Sequence, residues 1–168
     1  MIVKSDHFYT MTGEGVGYKT GVAMAIDKGR IIAMENESEI LGEYSAEEML
    51  DLKGKAIFPG FIDAHMHTGY GIMRGLAQDT NFWMMYGLGP FNNVVTEEER
   101  NSGSKLAIIE AIKAGTTTLG DYEYNMDIVS SFIDKLGARG NLTQLIREAV
   151  ERVYAPGEIY EFNPEKGE

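Results

Sequence analysis

The chain has 168 residues, of which 43% are hydrophobic and 24% charged, and it carries a formal net charge of -11. This composition suits a globular fold, and the acidity disfavours a nucleic-acid partner, whose phosphates the protein field would repel. Cysteine is absent and histidine occurs three times. Disulfides and thiolate metal sites are thereby excluded, and any metal must be held by His, Asp or Glu.

The first residues, MIVKSDHFYT, hold no cationic segment followed by an apolar core, and no apolar run approaches the roughly 18 residues of a membrane span. The expectation is a cytoplasmic protein with no membrane partner. Val22, Met24 and Ile26 alternate with small residues, Asp27 to Arg30 supplies turn chemistry, and Ile31 to Glu35 resumes the alternation. This predicts a β-hairpin with Gly29 at a positive φ. Ser45 to Leu52 is mixed and specifies little. Ala56 to His67 then predicts a short strand, a turn at Pro59-Gly60 and a buried strand from Phe61 to about His65.

Thr68 to Asn93 is rich in Gly, Met and aromatic residues and has no clean period, which predicts a long loop with helical pieces. A loop of that length usually carries function or is disordered, and its aromatic content argues against disorder. Thr96-Glu-Glu-Glu99 is a capping box that opens a helix. Leu106, Ile109, Ala111 and Ile112 form its expected apolar face, and Gly115 sits where a helix-ending glycine belongs. Thr116 to Leu119 predicts a strand ending at Gly120-Asp121, and Met126 to Leu136 a second helix stopped by Gly137. Beyond Gly140, Leu142, Leu145, Ile146, Ala149, Val150 and Val153 follow helical spacing, although the order of elements calls for a third strand there. From Pro156 the chain is poorly specified.

Strand, loop, helix, strand, helix over residues 57–140 predicts an α/β architecture with parallel strands, and residues 1–56 a separate β layer. Residues two apart in a strand share a face, about 6.6 Å apart along the chain. His65 and His67 therefore project together, with Asp63 on the same side. They stand at the C-terminal end of a strand that opens an α/β alternation, the end at which (β/α)8 barrels carry their sites. Two imidazoles converging there can hold one first-row divalent ion, zinc first among them and iron or manganese as alternatives. Two ordinary histidines on a half-buried strand make the same pattern.

The stretch PGFIDAHMH resembles the first barrel strand of the metal-dependent amidohydrolase superfamily, in which Pro-Gly, two hydrophobic residues and Asp-x-His-x-His precede a catalytic metal. Met73 to Asp79, followed by Trp83, is similar to the RGxxxD…W segment of the branch that holds aminohydrolases of purines, pyrimidines and triazines. Thr96 to Gly115 leading into Thr116-Thr-Thr resembles that family's first barrel helix and second strand, and residues 21–56 the small β-sandwich piece before the barrel. The resemblance implies a partial (β/α)8 barrel of two to three β/α units, with residues 1–56 as the sandwich segment and residues 57–168 as the start of the hydrolase barrel. It implies His65 and His67 as the first two metal ligands. The metal would activate water for attack on a carbon bearing an amino or similar leaving group in a small heterocyclic substrate.

The remaining ligands that the family draws from later strands have no counterpart here, because His7, the third histidine, precedes the barrel. A full barrel needs about 250 residues. The chain is thus expected to be the N-terminal part of a hydrolase of non-peptide C–N bonds, inactive alone and completed in cis or by a separate chain. Exposed strand edges suggest self-association into a homo-oligomer. A non-catalytic α/β interaction module with a relic His pair is the competing expectation. Trp83 either stacks on a planar substrate or anchors the loop. Arg74 either orients a substrate carboxylate or forms a structural ion pair. Asp63 either orients a ligand or bonds to nearby backbone, and Asp121 either faces the site or caps a helix.

Overall fold

Strand β1 (Ile2–Tyr9) lies at the centre of the first sheet. It pairs antiparallel with β2 (Tyr18–Lys19) and β3 (Val22–Asp27) along one edge and parallel with β5 (Met49–Ile57) along the other, and β4 (Arg30–Asn36) completes the sheet beside β3. The β3–β4 turn has positive φ at both central residues, 46° at Lys28 and 73° at Gly29. That is the type I′ geometry that matches strand twist, as the hairpin pattern predicts. The alternation of side chains builds a cluster on each face. Ile2, Ala23 and Ala25 point one way, against Ile40 of helix α1 (Glu37–Glu43). Val3, Phe8 and Met24 point the other way and pack with Leu52 and Ile57. The small alanines let α1 approach the sheet closely. The residues expected to form a β-sandwich segment thus make one five-stranded sheet plus a helix. Glu37 and Glu39 at the start of α1 favour it through the helix dipole.

The described residues are 1–146 and 154–166, and the chain divides into Met1–Pro59 and Gly60–Glu168. In the second unit of this computed structural model, β6 (Phe61–Met66), β7 (Thr116–Glu123) and β8 (Arg139–Gln144) form a parallel sheet in that order. Helices α2 (Gly89–Val94) and α3 (Glu97–Lys113) lie between β6 and β7 in the chain, and α4 (Met126–Leu136) between β7 and β8. The architecture is α/β. Leu119 of β7 lies under Ile108 of α3 and Met126, Val129 and Ile133 of α4, and this cluster is the core of the unit. Gly137 takes a left-handed φ of 69° at the end of α4, where glycine costs least.

Three expectations are corrected. The buried face of α3 runs through Gly103, Ser104 and Ile108, with Ala111 and Ile112 packed on the same cluster as expected, whereas Leu106 and Ile109 are about 40% exposed. The reason is Gly103: with no side chain it lets Gly71 and Ile72 pack directly on the helix and so rotates the contact face. Strand β6 is not buried, with Phe61 and Ile62 exposed, because it is an edge strand. The helical spacing after Gly140 loses to strand pairing: Leu142 sits in β8 opposite Asp121, and Ala149, Val150 and Val153 lie outside the described residues.

The capping box of α3 is formed in full. The Glu99 N–H donates to Thr96 Oγ1 at 3.2 Å, and the Thr96 N–H donates to Glu99 Oε2 at 2.8 Å. The Thr96 N–H, with the Thr96 hydroxyl second, holds the Glu99 carboxyl below its ordinary range. Thr96→Ala is expected to lower stability by about 1 kcal/mol in a denaturant titration, the usual cost of losing such a cap. A change below a few tenths would show that the cap is redundant with the packing of α3.

Candidate functional site

Parallel strands bring their C-terminal ends to one side of a sheet, and the histidines lie at that end of β6. Between Asp63 and Met66 the pairing of β6 with β7 shifts. At this irregularity Gly120 passes so close to Ala64 that an added Cβ would lie 2.6 Å from the Ala64 carbonyl oxygen. Glycine at 120 is therefore what admits the bulge, and a bulge re-aims the side chains beside it. The His65 and His67 rings stand edge to face with centroids 5.0 Å apart. Asp63 turns to the backbone and accepts from the His65 N–H at 3.3 Å.

Sequence reasoning missed the residues that surround these rings. Tyr122 of β7 packs against both, with its centroid 4.3 Å from His67 and 5.4 Å from His65. Glu123, 2% exposed, places Oε1 3.9 Å from His67 Nδ1. Burial pushes its carboxyl above the ordinary range, and the charges of Arg100 and His67 oppose that rise while Asp121 adds to it. Arg100 of α3 lies over the rings of Tyr70 and Phe91, at 5.4 and 5.8 Å, and donates to Asn92 Oδ1 at 3.0 Å. Its Nη1 is buried with no partner. The available signal was the alternation in β7: once Leu119 is core, Asp121 and Glu123 follow on the same face.

Asp121 does not cap α4, whose N-cap residue is Asn125. Its buried carboxylate accepts from the N–H and the hydroxyl of Thr68, the residue directly after His67. Asp121→Ala would strand both buried donors, and the expected cost is about 1–3 kcal/mol, read as a lower urea midpoint. Unchanged stability would mean that water or another acceptor replaces the carboxylate. Arg74 pairs with Glu110 and donates through Nε to the Gly71 carbonyl at 3.0 Å, so it is committed to structure. Trp83 lies in the segment between β6 and α2, beside the wide turn Met84–Leu88, and is 47% exposed.

The spacing of the two imidazoles suits a single metal ion. Zinc–nitrogen bonds of about 2.0–2.1 Å at a tetrahedral angle place two imidazole centroids about 5 Å apart. The His65–His67 spacing fits that figure. No group of three or more metal-ligating side chains occurs among the described residues. The chain thus presents two ligands, fewer than the three usual in a catalytic zinc site. Among the described residues no helix is long and apolar enough to cross a membrane.

Comparison with known proteins places these features. The chain is 33% identical over 124 residues to the 5-methylthioadenosine/S-adenosylhomocysteine deaminase of Acetivibrio thermocellus, covering 73% of this chain and 29% of that protein. It is 29% identical over 170 residues to the 5'-deoxyadenosine deaminase of Methanosarcina mazei, covering 100% of this chain and 35% of the relative. It superposes with a TM-score of 0.75 on an adenosine deaminase of Xanthomonas campestris with bound zinc, at 22% identity, over 83% of this chain and 32% of the other. The atrazine chlorohydrolase TrzN of Arthrobacter aurescens, complexed with zinc, gives a TM-score of 0.68 at 17% identity over 85% and 35%. These structural likenesses show a shared fold. The chain spans about a third of the length of the curated relatives it matches. The sequence model of the Amidohydrolase family matches residues 56–166, more than half of the chain, and the chain belongs to that family.

Proposed function

We propose that this chain is the N-terminal portion of a metal-dependent hydrolase acting on non-peptide carbon–nitrogen bonds, deaminating or hydrolysing an aminated heterocycle. One observation carries the reading: the paired imidazoles of His65 and His67 at the C-terminal end of β6, spaced for one ion, in a chain of the amidohydrolase family. The sheet β6-β7-β8 with its helices is read as the first two to three units of a (β/α)8 barrel, and residues 1–56 as part of a β-sandwich domain. The rest of the barrel is supplied in cis or by a separate chain. The exposed Phe61 and Ile62 on edge strand β6 support that view, since a closed barrel leaves no edge. A homo-oligomer covers the same edge in the alternative arrangement.

His65 and His67 hold the ion, zinc in the first instance and iron or manganese otherwise. When bound, it supplies Lewis-acid activation of water near neutral pH. Tyr122 restrains both rings from the β7 side, so that their lone pairs keep one direction. Trp83 offers an exposed side chain for stacking on a planar heterocycle.

The test is native mass spectrometry of the protein prepared from its source with zinc present, with ammonia release measured on aminated purine nucleosides. One metal per assembly, with activity in the completed assembly and none in the 168-residue chain alone, is expected. Turnover by the isolated chain would overturn the incomplete-site reading. A metal-free, inactive assembly would leave the competing function, a non-catalytic α/β module.

A further inference from the structure

Among the buried polar groups, Glu123 is the one whose carboxyl lies beside a histidine of the candidate site. It lies at the end of β7, two residues beyond the carboxylate that fixes Thr68, and its side chain is 2% exposed. A carboxyl group there is costly to bury without polar partners. What the carboxylate faces is a ring nitrogen: Oε1 lies 3.9 Å from His67 Nδ1. The separation exceeds a formed hydrogen bond, but at this range a carboxylate still favours a hydrogen on the ring nitrogen that faces it.

We propose that Glu123 is a positioning residue for His67: its carboxylate holds the ring hydrogen on Nδ1, leaving the Nε2 lone pair as the one directed at the ion. A neutral imidazole has one N–H and one acceptor nitrogen, and the bond made by one nitrogen decides the role of the other. Ligating histidines commonly donate their second N–H to a carboxylate in this way. The proposal rests on the metal reading above only for its last step.

Arg100 and Glu123 pack against the same point: a Cβ built on Gly69 would lie 3.2 Å from Arg100 Cγ and 3.2 Å from Glu123 Cδ. The aromatic rings of Tyr70 and Phe91 hold the guanidinium, whose buried Nη1 has no partner. Glycine at 69 thus leaves the room in which the two side chains meet below His67.

The decisive measurement is the imidazole nitrogen spectrum of the metal-free 168-residue chain labelled with 15N-histidine, at about pH 8, where an ordinary imidazole is neutral. His67 is expected in the Nδ1–H form. Glu123→Leu should move it to the Nε2–H form that an unconstrained imidazole favours, with His65 unchanged as internal reference. Gly69→Ala, which wedges a methyl between the two side chains, should move it in the same direction if Glu123→Leu fails to fold. Zinc affinity of the variants should fall by about 10- to 100-fold, the usual effect of losing a carboxylate behind a ligating histidine. An Nε2–H form of His67 in the unmodified chain, or an Nδ1–H form that persists in a folded variant, overturns the proposal. A chain with the expected tautomer that binds no zinc upholds the role of Glu123 in fixing the ring and sinks the metal reading instead.

Discussion

His67→Ala should lower the zinc affinity of the 168-residue chain by at least about 100-fold, past the upper end of what losing an outer partner of a ligand costs. His65→Ala should do the same, and His7→Ala should leave affinity unchanged. The chain has three histidines and no cysteine. Two of the imidazoles stand at ligand spacing, whereas His7 lies in the first sheet with Nδ1 2.7 Å from the Tyr18 hydroxyl. With no third ligating side chain grouped with the pair among the described residues, each imidazole supplies half of the protein donors. Removing one leaves a single nitrogen, which gives no chelation. Competition against a chromophoric chelator at fixed pH reads the affinity directly. A double variant, His65→Ala with His67→Ala, that keeps the parent affinity would show that zinc is held elsewhere, most plainly by carboxylates.

The sequence made the local rules legible and left the long-range ones open. The type I′ turn at Lys28-Gly29, the Thr96 capping box and the glycine stop at Gly137 each depend on a few adjacent residues, and each is present. The His65–His67 pair was visible for the same reason. The buried face of α3 was visible only at Ala111 and Ile112, since its earlier part is fixed by the approach of Gly71 and Ile72 to Gly103 from another part of the chain. Strand β8 was hidden because Arg139 to Gln144 contains one apolar residue, Leu142, and its pairing with β7 decides the matter. Glu123 and Arg100 were missed because an acidic residue after the expected end of a strand and a basic one just after a capping box both look like solvated surface. Only the closure of the sheet against α3 puts them together behind His67.

Leu119→Ala carries the largest expected effect on stability. Leu119 is fully buried at the middle of the central strand, and its side chain fills the space between α3 and α4. Truncating a leucine in such a position removes its transfer free energy and leaves a cavity that surrounding helices close only in part, at a cost of about 2–5 kcal/mol. That is a large share of the roughly 5–15 kcal/mol by which a domain is stable. Ile62→Ala is the matched control: Ile62 is a large apolar residue in the neighbouring strand, yet 71% exposed, so its loss should stay within about 0.5 kcal/mol. Urea titration of the second unit checks both, with the midpoint falling and the slope held. A cost below about 1 kcal/mol for Leu119→Ala would mean that the cluster repacks freely and that β7 is not its anchor. Because Asp121 and Glu123 follow Leu119 on the same face of that strand, such looseness would also undo the rigid support argued for Thr68 and His67. The stability of one buried leucine is therefore a measure of how firmly the second histidine is held.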